Sequence, residues 1–177
     1  ENLRYVDSNT TINLKGNIRC PHGRYGEYNI SDYSKNCQIG GALYSWTAIM
    51  NIDKKWQSAD ASSFINNQHQ GICPEGWHVP NEGELYTLAK YFYGDHGLDA
   101  SDLFAVGYYG NKSSTDKLGF SILPVVQPGK YDYDKIIAIL GSSTQDFSGV
   151  LTLMALYGSL YKYDGWSKYG GLSLRCV

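Results

Sequence analysis

Between Asn81 and Tyr93 the chain alternates polar and apolar positions with the period of a helix. Leu85, Leu88, Ala89 and Phe92 fall at i, i+3, i+4 and i+7, which places them on one apolar stripe. Asn81 stands ahead of the stripe with Glu84 three residues on, an Asn-x-x-Glu capping box that satisfies two orphan backbone donors of the first turn. Pro80 keeps the entry extended, because a residue before proline is pushed out of the helical region. Earlier, Leu43, Trp46, Thr47 and Met50 repeat at helical spacing within 41–52, predicting a first amphipathic helix. Residues 53–70 read as a polar connection with a helical turn around Ala59–Ile65. Residues 1–40 are polar and dotted with glycine, with a short strand at Thr10–Leu14.

The second half has a different rhythm. Leu103–Tyr109 reads as a strand or a third short helix, and Asp116–Pro124 as a turn leading into a short strand that Pro124 ends. The runs 135–140 (KIIAIL) and 150–156 (VLTLMAL) are apolar on both faces, the pattern of a central strand covered on both sides. The segments 160–163 (LYKY) and 172–177 (LSLRCV) alternate more cleanly. Two main helices followed by a mostly antiparallel, β-rich C-terminal half predict an α+β domain. No internal repeat or change of composition divides the 177 residues, so they read as a single domain.

Bulk composition narrows the function classes. A formal net charge of −2, with Lys and Arg dispersed along the chain, argues against a nucleic-acid binder, which would carry a basic patch. No apolar run reaches the roughly 18 residues of a membrane-spanning helix. No basic segment followed by an apolar one opens the chain, so any export signal is expected to have been removed. Four cysteines, Cys20, Cys37, Cys73 and Cys176, have no zinc-ligand spacing, and an even, widely separated set favours disulfides and an oxidising compartment. Of three connectivities, the preferred one pairs Cys20–Cys37 and Cys73–Cys176, tying the entry of the second helix to the end of the chain. Buried reduced thiols are the alternative.

Sixteen tyrosines and 20 glycines point to loops that present aromatic surface, because tyrosine offers large contact area at little rotamer entropy. The candidate ligand-binding set is Tyr108, Tyr109, Tyr131, Tyr133, Tyr157, Tyr161, Tyr163, Trp166 and Tyr169. Partial burial along strands is the competing reading, with about half of the set exposed. No Ser/His/Asp spacing, paired-carboxylate motif or phosphate-binding loop occurs. His78 reads as a satisfied hydrogen-bonding residue in preference to a catalytic one. Asp132, Asp134, Asp164 and Trp166 are the nearest approach to a calcium turn and fall short of the oxygen ligands such a site needs. No cofactor is expected.

Several stretches resemble the Fibrobacter succinogenes major paralogous domain, whose fold belongs with the C-type lectin-like domains. Cys73-Pro74-Glu75-Gly76-Trp77-His78-Val79-Pro80 resembles its CPxGWHxP core, and Gly41 to Met50 its G-x-LY-x-W-x-AM helix, preceded by a cysteine pair like Cys20 and Cys37. Gly119 to Pro124 is similar to its GFSxLP segment, Ser142-Ser143-Thr144 to its W-SST segment, and residues 172–177 to its SVRCV end. Glu1-Asn2-Leu3 looks like the end of its AENL opening, which implies a truncated first strand. The likeness covers essentially the whole chain. Two departures stand out: Gly141 replaces a common aromatic, and Leu153-Met154-Ala155 replaces a common aromatic and arginine.

The resemblance implies a core containing Trp46, Trp77, Leu85, Leu88, Phe92, Phe120 and Leu123. It also implies an exported or lipid-anchored protein of the cell surface or exterior. The function expected is non-catalytic adhesion, with a protein or glycan partner met through loops of the C-terminal half. Alternatives are a retroelement-diversified receptor-binding display, an enzyme acting on surface polymers through His78 or Asp132 and Asp134, and a structural spacer in a surface assembly. Related formylglycine-generating enzymes use reactive cysteines, a chemistry closed to Cys73 and Cys176 once they are bonded.

Overall fold

The computed structural model describes residues 18–19, 41–94, 98–99, 102–106, 114–123, 137–146, 149–156 and 159–177. The expected strand at Thr10–Leu14, the opening Glu1–Leu3, the Cys20–Cys37 bridge and Pro124 lie outside them, as do Asp132, Asp134, Tyr108, Tyr109, Tyr131, Tyr133 and Tyr157. The described elements, in order, are β1 (Ile18–Arg19), β2 (Leu43–Tyr44), α1 (Trp46–Met50), two 3-10 turns (Lys54–Gln57 and Ser62–Phe64), α2 (Glu82–Tyr93), β3 (Ile137–Gln145), β4 (Val150–Leu156) and β5 (Ser159–Trp166). Helices combined with an antiparallel three-stranded sheet make the α+β class that the two hydrophobic periods predicted.

The sheet runs β3-β4-β5, with Leu140 opposite Leu153 and Leu153 opposite Lys162. β4 is the central strand. Val150, Leu151, Thr152 and Leu153 are all buried, as a run apolar on both faces requires. One face packs Ile139 and Val150 against Trp46, Ile49, Met50, Trp166, Leu172 and Leu174. The other packs Ala138, Leu140, Leu151, Leu153 and Leu160 against Leu85 and Phe92 of α2, with Leu103, Phe104 and Ile122 alongside. Gly141 of β3 lies directly against the first layer. A Cβ there would stand 3.1 Å from Leu172 Cδ1 and 3.2 Å from Ile49 Cδ1, so the missing side chain lets α1 and the C-terminal segment settle onto β3.

α2 begins and ends within a residue of expectation. Asn81 Oδ1 accepts the Glu84 N–H at 3.1 Å, and Glu84 Oε2 accepts the Asn81 N–H at 2.8 Å, closing the capping box. Leu85 and Phe92 are buried, while Leu88 and Ala89 pack half-buried beside them. The first helix differs from expectation. Leu43, counted into its apolar face, pairs with Arg19 in β2, and α1 is a five-residue helix with every residue buried. A helix apolar all round belongs inside the protein, not at its surface, and Asn51 in the left-handed region closes it.

The C-terminal segment, read as an alternating strand, makes single bridges instead. Leu172 exchanges two 2.9 Å hydrogen bonds with Tyr44, and Ser173 bonds Ile139 and Gly141 on its other side. The segment is thus threaded between β2 and β3 before Val177 exchanges hydrogen bonds of 2.9 and 3.0 Å with His78. Beside that pair, Cys73 and Cys176 form the expected disulfide, with Cα atoms 5.9 Å apart and a sequence separation of 103. Phe104 and Ile122 meet in an isolated parallel bridge, so neither the strand nor the third helix considered for Leu103–Tyr109 forms among the described residues.

One core assignment is overturned. Trp77 is 53% exposed. Its N–H bonds the Pro74 carbonyl at 3.0 Å across a turn that carries Gly76 at φ 81°, and this turn swings the indole outward. Val79 and Cys73 are the residues it buries. Phe120 and Leu88 are half-buried instead of fully so, whereas Trp46, Leu85, Phe92 and Leu123 are buried as expected.

Candidate functional site

Three stretches distant in sequence enclose an open cleft of about 660 Å³: residues 57–62, the trio Gln145, Asp146 and Gly149 between β3 and β4, and the turn at 165–169. Each wall is shaped by local hydrogen bonding. Asp53 Oδ1 accepts the Lys55 N–H, and Asp60 Oδ1 the Ser62 N–H, both at 2.8 Å. Asp and Asn favour this position because their short side chains satisfy orphan amides at the start of a turn. On the second wall, the Asp146 N–H donates to the Gly149 carbonyl, and Asp146 Oδ1 accepts the Gly149 N–H, both at 2.9 Å. Gly149, with φ 153°, has no room for a side chain, because a Cβ would lie 2.3 Å from the Trp166 carbonyl oxygen.

Lys168 and Gln145 tie the walls together. The buried Lys168 Nζ donates to the Ala59 carbonyl at 2.6 Å and the Trp56 carbonyl at 3.2 Å, and lies 4.6 Å from the centre of the Trp46 ring. Two carbonyls and an aromatic face replace the water lost on burial. Burial lowers its pKa, and the nearby Asp60 charge opposes the shift. Gln145 Nε2 donates to Asp60 and, at 3.1 Å, to Ser62 Oγ. Asp60 is held below the ordinary carboxylate range, first by the Ser62 hydroxyl and then by the Ser62 amide.

Of the singled-out aromatic residues that lie among the described ones, Tyr169 alone lines this cleft, and it is 58% exposed. Tyr161 and Tyr163, 48% and 46% exposed, project from one face of β5 and are not part of the cleft wall. Trp166, expected at the surface, is only 2% exposed. Between the Val150–Trp166 and Thr152–Tyr163 pairs, Asp164 and Gly165 together oppose the single residue Leu151. This bulge breaks the two-residue alternation and turns Trp166 into the core. Tyr163 then meets it edge-on, with ring centres 5.9 Å apart.

Asp164, weighed for calcium, lies 3.7 Å from Lys162, whose Nζ reaches Glu82 at 2.6 Å. Among the described residues, no group of three or more His, Cys, Asp or Glu side chains could hold a metal ion. His78 Nε2 hydrogen-bonds Glu84 Oε1 at 2.8 Å and so braces the capping box. Sequence reading missed Asp60, Gln145, Asp146 and Lys168 as site residues. The Asp-x-Ser spacing of Asp60 and Ser62 signals a turn, and nothing local signals that this turn meets Lys168.

No helix among the described residues is long and apolar enough to cross a membrane. No curated protein and no solved structure matches the chain. The model of the Fibrobacter succinogenes major domain matches residues 1–177, over the same span as the CPEGWHVP, GFSILP and RCV motifs and the bonded Cys73–Cys176 pair. The chain belongs to the Fibrobacter succinogenes major domain family.

Proposed function

We propose that this chain is a non-catalytic binding module of C-type lectin-like architecture, exported to the cell surface or exterior, which holds a glycan in the cleft lined by residues 57–62, by Gln145, Asp146 and Gly149, and by residues 165–169. The observation that carries this reading is the composition of the cleft. The exposed Tyr169 lines the same cleft as a set of polar side chains, among them Gln57, Ser58, Asp60 and Asp146. A ring offers an apolar face to a sugar, and fixed amides, hydroxyls and carboxylates meet its hydroxyl groups. The Cys73–Cys176 disulfide supports an oxidising compartment.

A second reading, an enzyme acting on surface polymers, draws on the convergence of Asp60, Asp146 and Lys168 in one cleft. Against it, Lys168 is engaged by two carbonyls and Asp60 by Ser62 and Gln145, an arrangement that holds the walls together.

A glycan and host-protein array, with and without a calcium chelator, tests the first reading on wild type, Tyr169→Ala and a Tyr161→Ala/Tyr163→Ala double variant. Glycan binding should fall at least about tenfold in Tyr169→Ala, the scale of a lost aromatic contact, and persist in the double variant. The reverse pattern would move the site to β5. Turnover of a surface polysaccharide, abolished by Asp60→Asn, would establish the enzymatic reading.

A further inference from the structure

We propose a second site, independent of the cleft: a pocket beside α2 that binds an uncharged aromatic molecule of one or two rings. The pocket has a volume of about 380 Å³, within the range of small-molecule sites. No described residue lines both it and the cleft. Leu85 of α2 and Leu140 of β3 line it as buried residues, Leu88 and Phe120 as half-buried ones, and Tyr91, 50% exposed, joins them from α2. The leucine chains reward any apolar body that leaves water for the pocket. Two rings in the same lining favour an aromatic one, through offset or edge-to-face contact.

The polar groups of the lining are engaged within the protein, and this sets the class of ligand. Glu84 has both oxygens bonded, one by His78 Nε2 and the other by the Asn81 N–H, each at 2.8 Å. Thr87 donates its hydroxyl to the Gly83 carbonyl at 2.8 Å. The Pro80 carbonyl accepts the Ser143 N–H, and Val177 pairs both its N–H and its carbonyl with His78. Arg175 lays its guanidinium 4.2 Å from the centre of the Phe120 ring and has a further partner besides. A charged or sugar-like ligand would give up its hydration here for groups that already have partners, and that loss disfavours it. An uncharged ring has no hydrogen bonds to lose.

The pocket is also built in advance of any ligand. The 2.8 Å bond from Ser143 to Pro80, and one of 2.9 Å from the Glu82 N–H to Thr144 Oγ1, fix the start of α2 to β3. The Cys73–Cys176 disulfide and the His78–Val177 hydrogen bonds hold the C-terminal strip in place. Walls fixed before binding spare the ligand the cost of ordering them.

Titration of the whole chain with p-xylene and with terephthalate, followed by protein NMR, tests the proposal. The two probes share one ring, and terephthalate carries a carboxylate at each end of it. p-Xylene should bind saturably with a dissociation constant on the order of 1 mM or tighter, as expected for a ligand of this size, shifting the methyl signals of Leu85, Leu88 and Leu140. Terephthalate should bind at least about tenfold more weakly, because seating its ring takes a carboxylate out of water without a partner. Leu88→Trp, which fills the pocket from a half-buried position, should abolish p-xylene binding while the spectrum stays that of a folded chain. Four results would each overturn the proposal: no saturable shift up to the solubility limit of p-xylene, equal binding of the two probes, undiminished binding to folded Leu88→Trp, or shifts spread evenly over both core layers. Movement of the same methyl signals with protein concentration alone would assign the pocket to contact between copies of the chain, and would overturn it too. The comparison of the two probes does not depend on how well Leu88→Trp folds, and none of these readouts involves the glycan cleft.

Discussion

Trp77 and Trp166 exchange the roles their local sequences suggest, and stability measurements should show it. Trp166→Ala removes a buried indole from the layer shared with Trp46 and Ile139 and should cost about 3–5 kcal/mol. Trp77→Ala removes a mainly exposed ring and should cost about 1 kcal/mol or less. Denaturant titration of both variants checks the ordering, which fails if Trp77 proves the more expensive. Asp102 offers a test by pH. It is buried and accepts hydrogen bonds from the Thr115 hydroxyl, the Asp99 N–H at 3.0 Å and Lys117 Nζ at 3.1 Å. Burial by itself would raise its pKa, but these three donors together hold it below the ordinary carboxylate value. With the folded pKa below the unfolded one, its stabilisation is fully present above the unfolded value and is lost as pH falls through the folded one. Asp102→Asn should therefore destabilise by about 1–3 kcal/mol at neutral pH, and the gap from wild type should close as the acid limb is descended. A gap independent of pH would show that the charge of Asp102 plays no part.

At the scale of elements, the sheet is finished by what covers its edges. β3 is covered by Ser173, and β5 by the Tyr93 hydroxyl, which donates to the Leu160 carbonyl and accepts the Leu160 N–H at 3.0 Å. Unpaired strand edges invite aggregation, and a bulge, a lysine and a covering side chain all counter it. The contact between β3 and its covering layer depends on Gly141. Gly141→Phe should destabilise by about 1–3 kcal/mol through overpacking against Leu172 and Ile49. A variant as stable as wild type would mean that α1 and the C-terminal segment can shift together at little cost.

For the whole molecule, the disulfide is the covalent constraint that ties the entry of α2 to the C-terminal segment. It spans 103 positions, and in the chain-entropy model a loop of that length is worth up to about 4.7 kcal/mol. Cys73→Ser/Cys176→Ser should lower the thermal midpoint by several degrees, at roughly 2–4 °C per kcal/mol for a chain of this size. The hydrogen bonds between His78 and Val177 lie beside the bridge, so proton exchange at those two amides should accelerate most. Uniform acceleration across α2 and β4 would show that the bridge acts on the unfolded chain alone.

Interactions between near neighbours were legible in the sequence. Asn81 and Glu84 meet because three residues span one helical turn, whatever the rest of the chain does. Residues 150–153 are apolar on both faces, and only the centre of a covered sheet suits such a run. The pairing of Cys73 with Cys176 was the preferred one of three connectivities, which the even count of cysteines allowed but did not impose. Tertiary structure decided what depends on distant partners. Leu43 fits a helical period but joins a strand, because Arg19 and the bridge from Tyr44 to Leu172 offer its segment a ladder. Two-residue alternation would put Trp166 on the face of Lys162 and Asp164, but it shares the face of Tyr163 and Val150, because Asp164 and Gly165 oppose one residue. Lys168, Asp60 and Gln145 meet only after the sheet, the turn at 57–62 and α1 have packed together. No periodicity along the chain encodes that meeting, since the energy that brings them together is the burial of Trp46, Trp166 and Ile49 behind them.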